Sequence, residues 1–185
     1  RLNNLLEINI SNLAGVPSII YGLIGLQIFV VFKGLTGTLL AGAVVLSLLI
    51  LPIIIVATRE AIKSVPKSIK EAAYGLGATK WQTIWTQVLP IASANIITGV
   101  ILALARAIGE TAPLIVIGAL AYTDRVPTSP LSKFTVLPIQ IYDWVSRPQE
   151  GFKELNASAA ILVLLLLVFV LNGIAVVLRN RSRKK

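Results

Sequence analysis

Apolar residues in this chain gather into four long, nearly uncharged runs, at 16–32, 37–58, 91–122 and 157–178. A helix needs about 20 residues to cross about 30 Å of hydrocarbon. The second and fourth runs meet that length, and the first is at the short end of the range. The third is long enough to tilt or to begin in the interface, and Pro113 inside it is expected to kink it. The pattern predicts an all-α fold: a polytopic transmembrane helical bundle with four spans, forming one domain over 1–185. Two polar segments separate the later spans, at 59–90 and at 123–156.

The charges fix an expected orientation. Arg59, Lys63, Lys67, Lys70 and Lys80 face only Glu60 and Glu71 between the second and third runs. Arg179, Arg181, Arg183, Lys184 and Lys185 follow the fourth, and only Lys33 lies between the first two. In 123–156 the cations Arg125, Lys133, Arg147 and Lys153 are balanced by Asp124, Asp143, Glu150 and Glu154. The positive-inside rule then puts 59–90 and the C-terminal tail in the cytoplasm and 123–156 outside. Topology accounts for the net charge of +9, so no nucleic-acid partner is expected. The tail is read as an anchor for the last span with some attraction to anionic membrane lipid. The outer segment, with Tyr142 and Trp144 among four prolines, reads as an ordered cap with aromatics at the interface or as a docking surface for an external partner.

Composition narrows the chemistry. The chain is 56% hydrophobic, only 14% charged, and has a mean hydropathy of +0.84. It contains no Cys and no His, which excludes Cys/His zinc sites, Ser-His-Asp triads and thiol nucleophiles. No GxxxxGK[ST] loop is present, so ATP is not bound by that route. The chain starts at Arg1 and contains no Met, and it is read as a portion of a longer protein.

The segment EAAYGLGATKWQTIWTQVLP, 71–90, is the most polar stretch between spans. It reads as two short helices with a turn between them. Pro66 suits a first helical turn, and Gly75 and Gly77 suit a helix end. Thr79 with Gln82 has the spacing of a capping box. Trp81, Ile84, Trp85 and Val88 then form one apolar stripe. One reading is a connector whose tryptophans rest at the membrane interface. The other comes from the spacing of Glu71, Ala72, Ala73, Gly77, Leu89 and Pro90, which resembles the EAA loop of ABC-transporter permeases, EAAxxxG, nine residues, then IxLP. Gln87 stands where that pattern has Ile. The resemblance implies a coupling helix held in a groove of a cytoplasmic ATPase subunit.

The third run holds the only charges inside a span, Arg106 and Glu110. Arg at a helix centre costs about 2.5–3.5 kcal/mol on insertion scales. Four residues separate the two, one helical turn. On a helical wheel Asn95, Gly99, Arg106 and Glu110 fall within about 60°, a narrow polar stripe. It reads either as a self-neutralising pair that packs against other spans or as the lining of a path for a charged solute. Arg suits oxyanions because its guanidinium offers two parallel N–H bonds to one phosphate.

LARAIGETAP (104–113), NLAGVPSIIYG (12–22) and ILPIIIVATREAI (50–62) are similar to the A-type permease subunits of phosphate-specific ABC importers. That resemblance covers essentially the whole chain. It implies a type I ABC importer permease with about six spans, of which this chain would hold the last four. It also implies a heterodimer with a homologous C-type permease, a cytoplasmic ATPase dimer that carries ATP and Mg, and an external phosphate-binding protein. This subunit would be a non-enzymatic, multi-pass protein of the prokaryotic inner membrane with no cofactor of its own. Arg106 and Glu110, with Asn95 and Thr111 beside them, would lie on the substrate path. Rival readings are an ABC permease for sulfate or molybdate, and an ion-gradient-driven carrier or channel in which Arg106 and Glu110 relay ions. The carrier leaves the EAA spacing unexplained. A membrane enzyme has no nucleophile–base pair to use.

Overall fold

A computed structural model describes residues 9–10, 12–31, 34–119, 123 and 125–182. Lys33, residues 120–122 at the end of the third apolar run, Asp124 and residues 183–185 of the basic tail lie outside them. The described residues form helices and one isolated bridge, Thr38 with Lys133.

The first apolar run becomes α1, Ser18–Val31, 14 residues long. It rises only about 21 Å. The second becomes α2, Leu39–Lys63, 25 residues. The free N–H groups that open a helix need partners, and those of α2 find them in the 123–156 segment. Leu39 N–H donates to Ser132 O at 2.9 Å and Leu40 N–H to Pro130 O at 2.8 Å. Ala41 N–H donates to the Thr38 hydroxyl at 3.3 Å. Lys133 Nζ also donates to Thr36 O at 2.6 Å. The segment read as a surface cap is therefore built into the start of a span.

After α2 comes α3, Lys67–Gly75, then a tight turn. Next is α4, an unbroken helix of 29 residues, Lys80–Ile108. The sequence pattern ends the second short helix of 71–90 before a separate third span at 91–122. Instead the helix runs through Pro90, with a π-turn at Ile84–Val88 directly before Leu89. A second departure lies further on. The run 91–122 is not one kinked span. α4 stops at Ile108, and α5, Ala112–Val116, starts after a non-helical step. Pro113 sits in the first turn of α5, where its missing N–H costs nothing, so it opens a new helix rather than bending an old one.

The 123–156 segment then supplies α6, Leu137–Ser146. A π-turn at Gly151–Asn156 leads without a break into α7, Ala157–Ser182. Among the described residues, three helices are long and apolar enough to cross a membrane: α2, α4 and α7 with its preceding turn. Almost none of the apolar stretch of α7 is buried, so its leucines meet lipid or another polypeptide.

Two apolar clusters hold the ends together. One joins Tyr21, Phe29, Val45, Leu49, Leu114, Ile117, Phe134 and Ile139. The other joins Ala61, Val65, Val88 and Ala92. Between them the helices approach through small residues, as expected where lipid supplies no hydrophobic drive. A Cβ at Gly22 would lie 2.6 Å from Pro113 Cα, and one at Gly99 would lie 2.5 Å from the Cβ of Ala57. Gly42 leaves room for the Phe134 ring. α7 meets α4 at Ala175, whose carbonyl lies 3.5 Å from the Thr98 hydroxyl.

Candidate functional site

The non-helical step between α4 and α5 forms the first part of the site. Gly109 N–H donates to Arg106 O at 3.1 Å and Glu110 N–H to Ala107 O at 3.2 Å, so the last turn of α4 closes in tight i→i+3 bonds. Thr111 O accepts from Leu114 N–H and Ile115 N–H, each at 3.1 Å, which opens α5. Leu46 of α2 lines the same cleft as Glu110. Leu46 is the eighth residue of α2, about 10 Å along the helix from Leu39. The break is thus at membrane depth, and irregular backbone there is tolerated only where it is buried in protein or lines a cavity.

Arg106 and Glu110 meet across this break. Arg106 Nε lies 3.4 Å from Glu110 Oε1, and the side chains are 52% and 14% exposed. The carboxylate is tucked in while the guanidinium looks outward. Glu110 lines an apolar cleft of about 480 Å³ with Leu46, Leu104, Leu114, Leu137 and Leu167. Asn95 is exposed, about 20° from Arg106 around α4. Leu102 and Ile91 share that exposed face. Gly99, expected in the polar stripe, faces Ala57 of α2 instead; it is a packing position. Thr111 is partly buried and caps the break rather than extending the stripe. The structure therefore brings Arg106 and Glu110 together, puts Asn95 on the same face, and leaves Thr111 at the hinge.

The second part of the site is the segment between α2 and α4. α3 holds no buried residue. It ends in paired bonds, Gly77 N–H to Tyr74 O at 2.9 Å and Ala78 N–H to Ala73 O at 3.0 Å. This is a Schellman closure, and Gly77 takes its left-handed position at φ +83°. Gly75 does not; it is the last residue of the helix. The capping box follows at once. Gln82 N–H donates to the Thr79 hydroxyl at 3.3 Å and Thr79 N–H to Gln82 Oε1 at 2.9 Å. Two rigid stops two residues apart make a fixed corner. It presents Leu76 at 90% exposure, with Trp81 and Trp85 packed edge to face, their ring centres 5.7 Å apart. Glu71, Ala72 and Gly77 are exposed, Ala73 and Leu89 half-buried, and Pro90 exposed. Among the described residues there is no cluster of three or more metal-ligating side chains.

The described residues thus form a helical membrane bundle with a broken span, a half-exposed Arg beside the break and an exposed corner between α3 and α4. The chain belongs to the family described as binding-protein-dependent transport system inner membrane component, which it matches over residues 1–184. It is 33% identical over 180 residues to the phosphate transport system permease protein PstA 1 of Mycobacterium tuberculosis strain H37Rv, covering 97% of this chain and 58% of that one. It is 39% identical over 165 residues to the probable ABC transporter permease protein YqgH of Bacillus subtilis, covering 85% of this chain and 53% of that one. A probable phosphate transport system permease protein PstA of Methanocaldococcus jannaschii is 34% identical over 164 residues, with 89% and 58% covered. The chain thus spans little more than half the length of these relatives. Family and helices together make it a multi-pass protein of the prokaryotic inner membrane.

Proposed function

We propose that the chain is the core of a permease subunit of an ATP-driven inorganic phosphate importer, working by alternating access. The observation that carries this reading is Arg106: a half-exposed guanidinium at membrane depth, beside a broken helix. A charge there cannot face lipid at low cost, so it faces water or another subunit. Glu110 holds the guanidinium from one side. An arriving oxyanion offers Arg106 a bidentate partner and displaces the carboxylate, so the pair is a displaceable lock rather than a fixed brace. The names of the Mycobacterium and Methanocaldococcus relatives support phosphate as that anion.

The corner at 71–90 is the coupling element. Its exposed Leu76 and tryptophans fit a groove in a separate cytoplasmic ATPase dimer, which carries the ATP and Mg. The permease itself performs no hydrolysis. A homologous permease covers the Arg106 face as the second half of the path, and an external phosphate-binding protein delivers the anion. The segments 59–90 and the C-terminal tail lie inside, and 123–156 outside. The test is labelled phosphate uptake into proteoliposomes bearing the full subunit and its companions. Uptake that needs ATP and resists a tenfold excess of sulfate or molybdate is the expected result. Uptake blocked by either anion makes the substrate a different oxyanion, and uptake indifferent to ATP makes the chain a gradient-driven carrier.

A further inference from the structure

The π-turn at Ile84–Val88 is the one wide turn inside α4, and Pro90 explains it. In a regular α-helix the ring of Pro90 would strike the carbonyl of Thr86, four residues back, and would leave that carbonyl without its donor. The helix continues through Pro90 without a break. It takes one extra residue into the turn, and Leu89 N–H donates to Ile84 O, five residues back. The hydroxyls of Thr83 and Thr86 donate to Thr79 O and Gln82 O at 3.0 and 2.8 Å, loosening the same stretch from its regular ladder.

The consequence is a change of helical phase. Thr83 is 1% exposed and Val88 4% exposed, so both face the bundle although five residues separate them. In a regular α-helix five residues place side chains about 140° apart. Absorbing one residue removes about 100° of that difference and puts both on one face. Val88 packs with Ala61, Val65 and Ala92. Trp81 and Trp85 are driven to the opposite, outer side, where they are 66% and 56% exposed.

The geometry points to Pro90 as a positioning residue for coupling. By enforcing the π-turn it sets the rotation of the Trp81/Trp85 corner relative to the Arg106 face of the same helix. The corner and the path then move as one rod whose two working faces are held at a fixed angle. This inference rests on the coupling role proposed above for 71–90.

The 185 residues contain no cysteine, and any cysteine in the rest of the full permease is replaced by Ser first. Thr83→Cys is placed in the full permease, assembled with cysteine-free companions in proteoliposomes, alone and combined with Pro90→Ala. A water-soluble maleimide reads the exposure of the introduced thiol, and phosphate moved per ATP hydrolysed reads coupling. Pro90→Ala removes the clash, lets the turn close to α, and rotates that thiol outward. Labelling is expected to rise on the order of tenfold, with phosphate moved per ATP falling. Deleting Gln87 as well restores the phase with a regular helix, so the thiol becomes protected again and coupling returns. A plain loss of stability would not be rescued by shortening the helix. A thiol that stays protected in the Pro90→Ala background overturns the proposal, as does an exposed thiol with coupling unchanged, or failure of the deletion to restore both readouts. If the unsubstituted complex moves no phosphate, the importer reading fails by itself, and the labelling pattern alone still decides whether Pro90 sets the phase.

Discussion

Replacing Gly22 by Ala probes the contact that holds the broken span in place. α1 and α5 touch backbone to backbone here. A Cβ on residue 22 would lie 2.6 Å from Pro113 Cα and 2.8 Å from its carbonyl oxygen. Carbon atoms rest at about 3.5–4.0 Å, so α1 and α5 must separate by about 1 Å. Neither obstacle is a flexible side-chain tip that could swing aside. Overpacking of this kind costs about 1–3 kcal/mol, which lowers the midpoint of thermal unfolding. The displaced α5 carries Leu114 out of the cluster around Val45 and Phe134 and shifts Thr111 and Glu110 with it. The assay is the midpoint of heat-induced loss of the monodisperse complex, paired with phosphate uptake. Gly75→Ala is the matched control. Nothing lies within 4 Å of a Cβ there and the position is helical, so it should gain about 0.5–1 kcal/mol. If Gly22→Ala melts with the unsubstituted protein, α1 and α5 are not in the contact described.

Other perturbations address the site itself. Gly77→Ala forces a Cβ into the left-handed conformation at φ +83°, at a cost of about 1–2 kcal/mol; ATP hydrolysis should stay while phosphate moved per ATP falls. Thr79→Ala removes the capping box and about 0.5–2 kcal/mol, and hydrogen exchange of the amides at 80–83 should speed up selectively. Glu110→Gln removes the carboxylate that competes for Arg106, so half-saturation for phosphate should fall, with slower release; a raised half-saturation would show that Glu110 helps to hold the anion instead.

The sequence spoke most clearly where local chemistry decides structure. Gly77 and the Thr79–Gln82 pair have short-range geometry that no tertiary contact overrides, and both form as expected. The Arg106–Glu110 pair was legible for the same reason, as was the helical membrane class from the long apolar runs. Continuity was not. Pro90 and Pro113 look alike in sequence, yet one lies inside a helix and the other opens one. The difference lies in the turn each neighbourhood can adopt: a π-turn before Pro90, and a Gly-Glu-Thr step before Ala112. Hydropathy is blind to the break at 109–111 because apolar residues flank it on both sides. The 123–156 segment misled similarly. Phe134 and Ile139 are isolated apolar residues among prolines and polar groups, and only the fold shows them joining Val45, Leu49 and Leu114 in one cluster. Gly99 fell on the polar face of the wheel, but packing against Ala57 claims it.

Arg106 is the test of transport through this chain. The measurement is ATP-driven uptake of labelled phosphate by the assembled importer carrying Arg106→Ala, with ATP hydrolysis followed in the same vesicles. A guanidinium that receives the anion on the path predicts loss of uptake with hydrolysis continuing, and partial recovery with Arg106→Lys, which keeps the charge without the fork. Undiminished uptake by Arg106→Ala would contradict that assignment, and the Arg106–Glu110 pair would then be a structural brace.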